Sequence, residues 1–160
     1  MMRLLLAVLV LTLVACCPPR TGPEPEAVSA VERFRVHLLD ADVAGAMRLL
    51  PPLKPGAVDE AEALIGRYAR RYAIDRDFAV VASERLNTHA VVVIQEYATD
   101  GEPQLTPVYL LNADNGWVIM PELGKPRSEL VIVPASVMDD FAPLVEWFAG
   151  YESQALEASG

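Results

Sequence analysis

Cysteine is scarce in this chain: of 160 residues only Cys16 and Cys17 carry a thiol, and they are adjacent. Neighbouring cysteines strain disulfide geometry and close no loop worth constraining, so a disulfide-stapled scaffold is excluded. Histidine is equally scarce. His37 and His89 stand far apart with no zinc-ligand spacing, and no metal site is expected. Cations are outnumbered, with 13 Lys and Arg against 22 Asp and Glu and a net charge of −9. A chain of that balance repels phosphates, which sets nucleic acid aside as a partner. No Gly-rich phosphate loop, G-x-S-x-G elbow or H-E-x-x-H helix occurs. No catalytic residue and no cofactor is therefore expected.

A long apolar run is also missing. The stretch from Leu4 to Cys17, broken only by Thr12, falls short of the roughly 20 residues that a spanning helix needs. Preceded by Arg3, it has the charged n-region and the h-region of a secretory signal. Its end, Leu13-Val14-Ala15-Cys16, closely resembles a bacterial lipobox. The alternatives are an ordinary cleaved signal, which would want a small residue where Leu13 stands, and a short uncleaved anchor. The lipobox resemblance implies removal of residues 1–15 and acylation of Cys16, with the lipid bilayer as partner. It implies a lipid-anchored protein of the bacterial cell envelope. Cys17 in place of aspartate after the lipidated residue points to the outer membrane, facing the periplasm, in a source that has one.

Residues 16–25 read as a tether. Pro18, Pro19, Pro23 and Pro25 favour polyproline II at ~3.1 Å per residue, a stand-off of roughly 25 Å over residues 18–25. Helical spacing follows. Ala27, Ala30, Val31, Phe34 and Leu38 share one face, Asp42 can cap a second short helix, and Pro51-Pro52 ends it. Ala61, Leu64, Ile65, Tyr68, Ala69 and Tyr72 form the cleanest helical stripe.

The period then changes to two. "DFAVVASERL", "HAVVVIQEY", "QLTPVYLLNA" and "GWVIMP" read as strands, with Asp100-Gly101 and Asn115-Gly116 as hairpin dipeptides. A two-residue turn near Asn115 puts Trp117 and Ile119 on one face with Val108 and Leu110. Tyr109, Leu111, Val118 and Met120 then share the other. Both faces are apolar, so both need a cover. The third helix suits one side. A C-terminal segment carrying Val137, Phe141, Leu144, Val145, Phe148 and Tyr151 suits the other. Ser136 with Asp139 resembles a capping box there, and Pro143 should kink or split that segment. A homodimer or a protein partner docking on the sheet face or the last helix would solve the same problem.

The fold expected is α+β: N-terminal helices on a curved antiparallel four-stranded meander, plus a C-terminal helical segment. This order, with the ending "NADNGWVIMPEL", resembles the NTF2-like (cystatin-like) cone over residues 26–122, with 123–160 as an extension packed on the domain. Some such cones are enzymes with an acid or base and a tyrosine lining the cavity, which makes Tyr68, Tyr72 and Tyr109 candidate lining residues. Asp77 and Glu96 are acids whose direction strand parity alone does not decide. Arg67, Arg70 and Arg71 read as a solvated face closing a helix that Asp59, Glu60 and Glu62 open. The expected function is a non-catalytic binding or interaction domain. The alternatives are an isomerase or hydrolase of a small apolar substrate, and a structural or assembly factor of the envelope.

Overall fold

The spacing of apolar residues switches from helical to alternating at Arg76, and the backbone follows it. A computed structural model describes residues 21–98 and 103–159. The stretch read above as a signal segment, Cys16 with the first part of the expected tether, and Asp100-Gly101 lie outside the described residues.

The chain runs β1 (Thr21–Gly22), α1 (Pro25–Leu39), α2 (Val43–Met47), α3 (Val58–Asp75), β2 (Arg76–Leu86), β3 (His89–Ala98), β4 (Gln104–Ala113), β5 (Gly116–Ile119), α4 (Ala135–Asp139) and α5 (Ala142–Ser159). Pro25 opens α1 with its φ preset, and Glu24 caps it by accepting the Glu26 N–H. Helix α1 buries Ala27, Ala30, Val31, Phe34 and Leu38, the face its spacing predicts. Asp42 caps α2 through the Gly45 N–H at 2.8 Å.

The fold is α+β. Strands β2 to β5 form an antiparallel meander with each strand beside its sequence neighbour, and β1 joins the outer edge of β2. Ala113 pairs with Gly116, so the last turn is Asp114-Asn115; Gly116 takes φ +104°, a conformation glycine adopts without strain. Val108, Leu110, Trp117 and Ile119 pack with Phe34, Ile65, Ala69 and Tyr72 under the helices. Tyr109, Leu111 and Met120 pack on the opposite face with Met138, Phe141 and Leu144. The chain itself thus covers both faces, which is why the central stretches of β3 (Ala90–Ile94) and β4 (Val108–Leu111) are apolar on both sides.

Three details differ from the sequence reading. Thr21 and Gly22 pair with Leu86 and Arg85, and the Glu84 carboxylate accepts the Gly22 N–H at 2.7 Å. Arg85, lying 5.5 Å over the Trp117 ring, binds Glu24. Residues 21–25 therefore belong to the domain, because the edge of β2 offers them unpaired backbone and side-chain partners. Second, Ser136 and Asp139 make no capping box: Pro134 holds the N-cap position of α4 without a side-chain bond. Third, the C-terminal segment splits at 140–141, just before Pro143, as that proline predicts, but Val145 does not share the buried face with Phe141 and Leu144. Met138, Phe141 and Leu144 are buried while Val145 faces out.

Candidate functional site

Where α3 ends against the far ends of β3 and β4, the domain encloses a carboxylate with three donor residues. Glu96 follows Val92 and Ile94 at alternate positions of β3, so it faces the helices, and it is only 5% exposed. A carboxylate taken out of water requires donors. Three are supplied: the Tyr72 hydroxyl, Arg71 Nη2 at 3.2 Å and Thr106 Oγ1 at 3.4 Å. Tyr72 sits on the buried stripe of α3 with its ring edge-on to Phe78 at 5.3 Å. Burial and the bond to Glu96 push its ionisation far above the ordinary tyrosine range, so the phenol keeps its proton.

Arg71 lies at the rim with its guanidinium 5.9 Å from the Tyr72 ring. Its side chain is 41% exposed, so only one end of the fork is held by Glu96. Above this group is a cleft of about 360 Å³ bordered by Tyr68, Arg71, Glu96, Gln104, Thr106 and Leu123. The Tyr68 hydroxyl accepts the Leu123 N–H at 3.2 Å, closing one wall. A neighbouring hollow of about 370 Å³ shares Tyr68 and Leu123 and brings in Arg67 and Lys125 opposite Glu60 and Glu122. The wall charges of both hollows are mixed in sign.

The three candidate tyrosines do not converge. Tyr68 lines the cleft, and Tyr72 reaches it only through its hydroxyl on Glu96. Tyr109 faces the other side of the sheet, edge-on to Phe141 at 5.5 Å. Asp77 is half-exposed and engaged by Arg35 Nε at 2.7 Å, which holds its carboxyl below the usual range. His37 binds Asp42 at the cap of α2, 2.9 Å apart. His89 is buried under α4, with Nε2 on the Val137 carbonyl at 2.8 Å. Neither histidine borders the cleft. Arg71 stays on the exposed side of α3, as the sequence assigns it, yet sets Nη2 on Glu96, which turns inward. Strand parity could not show the direction of Glu96, because β3 is apolar on both sides over Ala90–Ile94 and has no outward face to count from.

Among the described residues, no three His, Cys, Asp or Glu side chains form a group able to hold a metal, and no helix is long and apolar enough to cross a membrane. No family model, curated protein or solved structure matches this chain.

Proposed function

We propose that this protein is a lipid-anchored component of the bacterial cell envelope, acylated at Cys16, whose NTF2-like domain is a binding module for a partner protein or a small ligand. The lipobox-like Leu13-Val14-Ala15-Cys16 supports the anchor. The binding reading is carried by Glu96 being engaged by three donors, from Tyr72, Arg71 and Thr106. Proton transfer to a substrate needs a lone pair or a proton aimed at the substrate. Here the phenol O–H donates to the carboxylate, and three donors occupy the carboxylate. The space between α3 and the sheet is filled by Ile65, Ala69, Tyr72, Val92 and Ile94, which leaves the surface cleft for recognition. Its donors without a partner among the described residues, Nε and Nη1 of Arg71 and the amide of Gln104, are suited to holding a polar ligand.

A second reading, hydrolase or isomerase, has one observation in its favour: an acid and a tyrosine in contact at the floor of a polar cleft. Glu96→Gln separates the two. If purified protein turns over any small ester, amide or ketone and this variant abolishes it while still folded, the binding reading is wrong. The anchor is tested by labelling cells with a fatty-acid analogue. Wild type should be marked and Cys16→Ala unmarked; equal labelling refutes the assignment.

A further inference from the structure

We infer that the anchored domain stands on its bilayer by the end of the sheet carrying the Asn87-Thr88 and Asp114-Asn115 turns, and holds the Arg71–Glu96 cleft away from that membrane. The inference rests on the proposed acylation of Cys16. Its own content comes from strand register and chain length.

Thr21 pairs with Leu86 and Gly22 with Arg85 in antiparallel sense, so the chain enters the sheet beside the β2–β3 turn. The β4–β5 turn lies at the same end, because His89 pairs with Leu111 and the Asn112 N–H donates to the Thr88 carbonyl at 2.8 Å. Glu96 pairs with Phe78 and Gln104 at the other end. His89 and Glu96 are seven residues apart on one strand, about 23 Å at ~3.3 Å per residue. From Cys16 to Thr21 there are five residue steps, at most ~18 Å even fully extended. The tether is too short to bring the acyl chains level with the cleft. Pro18 and Pro19 stiffen the intervening chain.

The helices keep the same polarity. The start of α5 borders His89 and Asn87, while Tyr151 and Ala155 border Gln95 and Leu105, so the C-terminal end of α5 also points away from the anchor. Charge decides against the domain lying flat. Removal of residues 1–15 takes away Arg3 and no acid, which leaves the mature chain more acidic than −9 and repelled by anionic headgroups. The proximal turns themselves, Asn87-Thr88 and Asp114-Asn115, contain no cation. Attachment therefore relies on the acyl chains alone. The ligand of the cleft comes from the aqueous side.

The test uses full-length acylated protein in phosphatidylcholine vesicles containing a nickel-chelating lipid. A spin label is placed at Asn115→Cys, Arg70→Cys or Ser153→Cys in a Cys17→Ser background; all three sites are exposed. Lipid-bound nickel should relax the label at 115 several-fold more strongly than the labels at 70 and 153, and high salt should not release the protein. Equal relaxation at the three sites, or the reverse order, overturns the orientation while leaving the lipid anchor intact. If the wild-type protein carries no acyl group and fails to float with vesicles, the anchor reading fails and this inference fails with it. An Asn87→Cys label repeats the proximal measurement if the label at 115 disturbs the turn.

Discussion

At the residue scale, Glu96 is the side chain whose neighbours have most to lose. Glu96→Ala removes the acceptor from a buried phenol and from Arg71, and should cost about 2–3 kcal/mol, below the usual cost of breaking a buried pair because Arg71 is partly solvated. Urea unfolding measures it. Tyr72 has a pH signature of its own. Its folded pKa lies above the unfolded value, so its contribution is complete below about pH 10 and is lost as pH rises beyond that. Tyr72→Phe should therefore flatten the alkaline limb of a stability–pH curve. The flattening is partial, since Tyr68 and Tyr109 are shifted upward by burial too. Asp77 has the opposite sign. Arg35 lowers its pKa in the fold, so its contribution is present above about pH 4 and is lost as pH falls further. Gly45 makes a third case. A Cβ there would clash with the Asp42 Oδ2 and His37 Nδ1 atoms. Gly45→Ala should lower the melting temperature despite alanine's better helix propensity, because it displaces the cap of α2. A rise would refute that account.

At the element scale, the split between α4 and α5 explains why a proline is tolerated within the C-terminal segment. Pro143 is the second residue of α5, where its missing N–H has no partner to lose. Pro143→Ala should change stability by less than about 1 kcal/mol. Phe141→Ala, one residue before the helix, should cost about 3–5 kcal/mol, since the ring is fully buried against His89 and Tyr109. The same denaturant titration reads both. Most of these elements were legible in the sequence, because helical stripes, turn dipeptides and prolines act within a few residues of themselves. The Ser136/Asp139 capping box was misread for a comparable reason. Its spacing was right, but Pro134 had already set the start of the helix.

At the scale of the whole molecule, the five-stranded sheet is a shared wall between two apolar clusters, one under α1 to α3 and one under α4 and α5. Each cluster needs its own cover. Deleting residues 134–160 should bare Val91, Tyr109, Leu111 and Met120 and drive association, seen as a higher mass by light scattering or as loss of soluble protein. A soluble monomer of unchanged melting temperature would show that the C-terminal segment is not part of the folding unit. The termini follow the same axis. The chain enters at one end of the sheet, and α5 runs toward the other, so Thr21 and the cleft are separated by the length of a strand.

By itself the amino-acid sequence determined the helices, the strands, their parity on β4 and β5, and the need for two covers. These follow from side-chain periodicity and from restrictions on φ, which are local and covalent. Only the tertiary structure decided that Glu96 turns toward α3, that the half-exposed Arg71 reaches it from the rim, and that Thr21–Gly22 join the sheet. Those outcomes depend on register and packing between residues as far apart in the chain as Gly22 and Glu84, and no spacing within one element records them. The side of the molecule on which the tether enters belongs to the same class, since it is set by one short strand pairing.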